Sequence, residues 1–144
     1  MLVQQILRSK SSDEVVTIRP GTSLGAAVNL LAEHRIGAVV VSPDGKRVAG
    51  ILSERDVMRV MGQRGASCLD ETVEEVMTSK IVTCGCNDSS DAVLALMTDG
   101  RFRHLPVLEN GEMVGLISIG DVVKAQLSEL SMEKAALEGM IKGF

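Results

Sequence analysis

Gly50-Ile51-Leu52-Ser53-Glu54-Arg55-Asp56 decides how this chain folds, because it returns 65 residues later as Gly115-Leu116-Ile117-Ser118-Ile119-Gly120-Asp121. Upstream the correspondence continues at an offset of 66. Val15-Val16-Thr17-Ile18 matches Ile81-Val82-Thr83-Cys84, and Ser23-Leu24-Gly25-Ala26-Ala27-Val28 matches Ser89-Ser90-Asp91-Ala92-Val93-Leu94. Residues 36–41 then match 102–107. The offset changes between the turns Pro43-Asp44-Gly45 and Glu109-Asn110-Gly111, where one residue of turn length accounts for it. The chain is two copies of one unit, and a repeat of this kind governs the whole architecture.

Each copy reads strand, helix, strand, turn, strand, helix, an α/β (α+β) pattern. Residues 23–34 predict the first helix, with Leu24, Ala27, Val28 and Leu31 on one face at helical spacing. Its counterpart covers about residues 89–99, with Asp88 or Ser89 as the cap. Ala38-Val39-Val40-Val41 is a short continuous apolar run, the mark of a strand buried on both faces. Asp44-Gly45 and Asn110-Gly111 are hairpin signals leading into strands over 48–52 and 113–117. Each second helix begins at Ser53 or Ser118, and the polar, glycine-containing stretch 62–71 is the expected linker. The expected division is a first unit over 1–66, a second over 67–127 and a C-terminal helical tail over 128–144.

The 144 residues suffice for one compact domain, or two half-size units sharing a core. Fifteen Lys and Arg against nineteen Asp and Glu leave a net charge of −4. That is the opposite of the basic patch with which a nucleic-acid binder neutralises phosphates. Phe102 and Phe144 are the only aromatics, so stacking platforms for a single strand are missing as well. Hydrophobic residues make up 45 %, enough for an aliphatic core in which Met58, Met61, Met77, Met97, Met113 and Met132 serve as adaptable packing. No apolar run reaches the roughly 18 residues of a membrane span. Gln4, Gln5 and Arg8 interrupt the opening stretch where a signal peptide would be apolar. Cys68, Cys84 and Cys86 cannot all pair within one chain, and reduced thiols in a cytoplasmic protein are the expectation.

The doubled motif, strand then Gly-apolar-apolar-Ser-x-x-Asp then helix, has a plain structural reading. Ser at a helix N-cap with an acidic residue three places on resembles a capping box, with Asp in place of the usual Glu or Gln. The functional reading uses the same geometry. A strand-to-helix turn exposes backbone N–H groups able to receive a phosphate, and the Ser hydroxyl adds a donor. An Asp one turn inside can accept two hydrogen bonds from a ribose diol.

This doubled unit, with Arg103-His104-Leu105-Pro106-Val107 ahead of the second Ser-x-x-Asp, resembles a CBS-domain pair, or Bateman module, over about residues 5–127 in order. The resemblance implies tandem βαββα units related by pseudo-two-fold symmetry, their small sheets packing together around two clefts for adenosine-containing ligands. AMP, ATP, ADP and NAD(H) are the expected ligands, S-adenosylmethionine less so, and no cofactor is required. In the first cleft it implies Asp56 on the ribose hydroxyls and Ser53 on ribose or phosphate. Ile51, Ile81, Val82 and Thr83 surround the base, and Arg103, His104 and Arg55 provide cationic groups to phosphate; a guanidinium grips phosphate bidentately. In the second cleft it implies Asp121 and Ser118, with Leu116, Val15, Val16 and Thr17 around the base. There Gly120 stands in place of Arg55, and Gly37-Ala38 in place of Arg103-His104. The Asp56 cleft is therefore expected to be the tighter for AMP-like ligands, and the Asp121 cleft weaker or differently selective. With few aromatics, aliphatic side chains and backbone amides are expected to hold the adenine. The family further implies a homodimer or dimer of dimers, and a module that regulates a partner protein; here it is expected to stand alone.

The other chemistry-bearing residues read as structural. His34 lies near a helix end, where an imidazole meets exposed carbonyls. Cys84-Gly85-Cys86 lacks the four ligands of a structural zinc site and the spacing and activating cation of a redox pair. No nucleophile–base pair or phosphate loop marks an enzyme. Val123, Leu127, Leu130, Leu137 and Ile141 form a heptad-like seam with Lys134 at the skipped place, either a short coiled-coil contact or an amphipathic helix lying on its own domain. Two functional readings remain: a regulatory adenosine-nucleotide module that signals by changing shape, and a dimeric interaction module whose Ser/Asp pairs are only caps.

Overall fold

The protein, seen as a computed structural model, is described over residues 1–10 and 15–141. Its elements run α1 (Val3–Ser9), β1 (Thr17–Ile18), α2 (Leu24–His34), β2 (Ala38–Val41), β3 (Gly50–Ser53) and α3 (Glu54–Arg64). A short 3-10 turn (Ala66–Asp70) follows, then α4 (Val73–Val76), β4 (Cys84–Gly85), α5 (Ser90–Gly100), β5 (His104–Glu109), β6 (Glu112–Ser118) and α6 (Ile119–Ile141). The strands form two three-stranded sheets, β1-β2-β3 and β4-β5-β6. In each, the first pair is parallel, with a helix crossing over between them, and the second is an antiparallel hairpin. This is the expected βαββα order, realised twice.

Local chemistry explains the boundaries. Ser23 and Ser89 cap α2 and α5, each hydroxyl accepting the N–H three residues on, from Ala26 at 3.2 Å and Ala92 at 3.1 Å. Asp88, the other cap candidate, instead takes the Gly85 N–H at 2.7 Å and closes the turn after β4. All four residues of β2 are buried, as the continuous apolar run requires. Asn110 and Gly111 both have positive φ (53° and 80°), the hand that lets a two-residue hairpin follow the twist of its strands.

Each sheet has its own core. Leu24, Ala27, Leu31, Val39, Val41, Leu52, Val57 and Val60 fill the first. Val93, Met97, Leu105, Val107, Ile117, Val122 and Ala125 fill the second. The helices that open the repeats are exchanged between them. Val3 and Ile6 of α1 are buried in the second core, and Val73 and Val76 of α4 in the first. The docking is the same in both directions. Val3 N–H donates to Asp88 C=O and Val73 N–H to Thr22 C=O, both at 2.9 Å. Ser90 N–H donates to Met1 C=O at 2.8 Å, and Leu24 N–H to Glu71 C=O at 2.7 Å. Burying a side chain such as Ile6 stabilises by roughly 2 kcal/mol, so the exchange ties the two units into one cooperative body.

Two expectations change here. Residues 62–71 are not an irregular linker: Gly62 lies within α3, and the 3-10 turn buries Cys68 completely in the first core. The apolar pair Cys68-Leu69 anchors it there. The tail is one helix with the second unit, described to Ile141; residues 142–144 of the expected tail lie outside the described residues. Only Val122 and Ala125 of α6 are buried, while Leu127, Leu130, Leu137 and Ile141 are exposed. Within one chain the seam therefore does not lie on its own domain.

Candidate functional site

At the C-terminal end of β3 the chain turns straight into α3, and Ser53 and Asp56 close a full capping box there. Asp56 Oδ2 accepts the Ser53 N–H at 2.9 Å and lies 3.0 Å from its hydroxyl, while the Asp56 N–H donates to Ser53 Oγ at 3.3 Å. Arg59 approaches the other oxygen, Oδ1, at 3.3 Å. Asp56 is only 7 % exposed yet lines an open cleft of about 260 Å³. The structural reading of the motif is thus realised, and it delivers a fixed carboxylate to a cavity wall.

Ile51, Ser53, Arg55, Asp56, Ile81, Val82, Arg103 and His104 all line this first cleft, as expected. Arg59, Lys80, Arg101 and Phe102 join them without having been singled out from the sequence. Five cationic residues, Arg55, Arg59, Lys80, Arg101 and Arg103, thus line the cleft together with two acidic ones, Glu54 and Asp56. Arg101 reaches it because α5 ends with that residue in the left-handed region (φ 56°), a conformation that costs an L-residue about 1–2 kcal/mol. Phe102 adds an aromatic ring to the aliphatic residues that line the cleft. Its ring lies where a Cβ on Gly100 would stand, so the glycine makes room for it.

The equivalent turn from β6 into α6 builds the second cleft, of about 350 Å³. Asp121 Oδ2 accepts the Ser118 N–H at 2.9 Å, and the Asp121 N–H donates to Ser118 Oγ at 3.1 Å. Val15, Val16, Leu116, Ser118 and Asp121 line it as expected. Lys10 does so unexpectedly: its ammonium lies 3.0 Å from Asp121 Oδ2 and donates to the Leu116 carbonyl at 2.8 Å. Burial alone raises the Asp121 carboxyl, but the Ser118 and Lys10 donors outweigh it and hold the group below its ordinary value of 3.8.

Thr17 and Thr83, equivalent to each other, line neither cleft. Thr17 instead pairs with Val40 in β1. His104 lines both clefts, with Gly37 at 3.6 Å as the place for a Cβ against its ring. Burial pushes its imidazole below the ordinary 6.5; Lys10 and Arg103 add to that, and Asp121 and Glu54 oppose it. It is therefore predominantly neutral at pH 7. Away from the clefts, burial first and the nearby Asp88 and Cys86 next push the Cys84 thiol up to about 12, so it carries no thiolate at neutral pH.

Comparison with known proteins meets this geometry directly. The model of the CBS domain matches residues 3–63 and again 73–128. The chain belongs to the CBS-domain family. Both CBS matches begin at the exchanged helices α1 and α4, which are the true openings of the repeat. The crystal structure of the CBS-domain protein ATU1752 from Agrobacterium tumefaciens is 44 % identical and superposes with a TM-score of 0.83, covering 88 % of this chain and 99 % of that one. The mitochondrial CBS-domain protein CBSX3 of Arabidopsis thaliana is 37 % identical over 121 residues, 81 % of this chain. The chain spans 59 % of that plant protein's length. The CBS pair of protein MJ0100, solved in complex with 5′-methylthioadenosine and S-adenosylmethionine, shares the fold at a TM-score of 0.78 and 22 % identity, over 90 % of this chain and 98 % of that one. No described helix is long and apolar enough to cross a membrane.

Proposed function

We propose that this CBS pair is a regulatory module that binds adenosine nucleotides and signals to a partner protein by a ligand-dependent change of shape. The observation that carries the reading is the first cleft, where a buried, rigidly held Asp56 faces a cavity with five cationic side chains around it. A helix cap needs no such surplus of positive charge. A nucleotide does: the carboxylate takes the ribose diol, Arg103 and Arg55 take phosphate, and Ile51, Ile81 and Val82 flank the base. Binding of adenosine compounds by the MJ0100 pair supports the ligand class. AMP, ADP, ATP and NAD(H) rank ahead of S-adenosylmethionine because of the phosphate-directed charge. Signalling requires the ligand to prefer one shape, with coupling on the order of 1–3 kcal/mol. The exchanged helices α1 and α4 offer the route, since each ties one unit's motion to the other's core. The module performs no catalysis, and its free thiols suit a reducing cytoplasm.

A homodimer or dimer of dimers completes the reading. Met58 on α3 and Val123, Leu127, Leu130 and Leu137 on the equivalent α6 are exposed apolar side chains that a second copy would cover. The same surface and the complete capping boxes favour a second reading, a dimeric interaction module that binds no nucleotide. Isothermal titration of ligand-stripped protein with AMP, ATP, NADH and S-adenosylmethionine separates the two. Micromolar binding supports the sensor and its stoichiometry counts the working clefts; no binding by folded protein overturns it in favour of the interaction module.

A further inference from the structure

The two clefts treat their ribose-binding carboxylates differently. At Asp56 the cation is Arg59, 57 % exposed and 3.3 Å away, one of several around that cavity. At Asp121 it is Lys10, two-thirds buried, with its ammonium shared between the carboxylate at 3.0 Å and the Leu116 carbonyl at 2.8 Å. Among the described residues Lys10 is the sole Lys or Arg lining that cleft. The arrangement is a variation on the repeat. Ser9-Lys10 recurs as Ser79-Lys80, 70 residues on, and Lys80 lines the Asp56 cleft. Ile51, the counterpart of Leu116, pairs through both backbone groups with Thr78, at 3.0 and 2.8 Å. In the second unit the lysine side chain takes the place of that backbone partner.

A ribose diol that reaches Asp121 meets an ammonium already there. An uncharged nucleoside would have to displace it and leave a largely buried cation unpaired, which is costly. A phosphate on the same ligand gives the displaced ammonium a new anionic partner. Resting on the reading of both clefts as nucleotide sites, we propose that Lys10 is the selectivity residue of the Asp121 cleft. Its ammonium leaves Asp121 and the Leu116 carbonyl for the ligand's phosphate, so that this cleft admits phosphorylated adenosine and rejects adenosine. It thereby supplies the phosphate recognition that Gly37 and Gly120 cannot.

The test is titration with AMP and with adenosine of protein carrying Asp56→Ala and Arg103→Ala, which together weaken the first cleft so that binding at the Asp121 cleft is read, with and without Lys10→Met. The parent is expected to prefer AMP by about tenfold or more, the value of a charge-assisted hydrogen bond. Lys10→Met is expected to bring the ratio near one by losing AMP affinity while adenosine binds as well or better, and Lys10→Arg to restore the preference. Lys10→Gln, which keeps a donor for the Leu116 carbonyl without the charge, replaces the Met variant should that fail to fold. Equal loss of both ligands, or an unchanged ratio, overturns the proposal and leaves Lys10 a structural strut. Wild-type protein that binds AMP only at the Asp56 cleft overturns this proposal alone; wild-type protein that binds at neither overturns the nucleotide reading with it.

Discussion

Ser53 and Asp56 hold each other reciprocally, the carboxylate accepting the Ser53 N–H at 2.9 Å and the Ser53 hydroxyl accepting the Asp56 N–H at 3.3 Å. One side chain thus serves both as helix cap and as the cleft's anionic wall, and substitution separates the roles. Asp56→Ala is expected to cost about 1 kcal/mol of stability, the usual value of a cap. It is also expected to weaken AMP at the first cleft by about tenfold or more through the lost charged acceptor. Urea denaturation and titration on the same sample check both; lost stability with unchanged affinity would make the motif a cap and nothing more.

On the nucleotide reading, Arg103 is the group that would read charge where Asp56 would read the sugar. Arg103→Ala should weaken AMP and ATP at the first cleft by about tenfold while adenosine changes little, since a guanidinium–phosphate contact is absent from the nucleoside. Calorimetric titration with the three ligands decides it. A uniform loss would mean that Arg103 supports the cleft's shape instead.

His104 makes stability depend on pH. Its folded-state value is lowered by burial, so the neutral form is favoured in the fold and its contribution is complete above about 6.5. It is lost as pH falls from there through the lower folded-state value, because the unfolded chain takes up the proton first. Urea midpoints measured between pH 8 and pH 5 should decline through that window, and His104→Gln should flatten the decline. A slope unchanged in the variant would assign it to other groups.

Gly100 is the room in which the Phe102 ring sits. Gly100→Ala would ordinarily strengthen a helix by up to about 1 kcal/mol. Here the added methyl collides with the ring, so the variant should melt lower than wild type and lose AMP affinity at the first cleft, which Phe102 lines. A higher melting temperature with unchanged affinity would refute the account.

The exposed seam on α6 has its own test. Leu130, 59 % exposed in one chain, sits midway along it. Leu130→Asp should shift the protein toward monomer in light scattering, because an unpaired charge would be buried at a helix–helix contact. Wild-type protein that is monomeric at the same concentration would remove the seam from the assembly.

The repeat, the order of its elements and the two Ser-x-x-Asp turns were readable along the chain because each is a local pattern. Helical spacing puts Leu24, Ala27 and Leu31 on one face, a cap needs only its own next three residues, and Asn110-Gly111 supplies the positive φ that its hairpin uses. The exchange of α1 and α4 was not readable. The offset of 70 that relates Ser9-Lys10 to Ser79-Lys80 differs by four residues from the 66 that relates the next strands. Neither helix, moreover, carries a mark naming the core it enters; Val3 and Val73 are equally apolar, and only burial in the cluster that holds Val93 or in the one that holds Leu24 assigns them.

The cleft residues divide along the same line. Ser53, Asp56, Ser118 and Asp121 belong to turns whose geometry a few neighbouring residues impose, and amino-acid order alone determined them. Lys80, Arg101 and Phe102 adjoin residues that the sequence did single out, but no local pattern names them, and Lys10 reaches its cavity from a segment with no such signal at all. Lys10 lies 111 residues from Asp121 in the chain and 3.0 Å from it in space. That proximity exists because burial of Val3 and Ile6 draws α1 onto the second unit, and burial, which depends on every surrounding side chain, is settled only when the whole molecule packs.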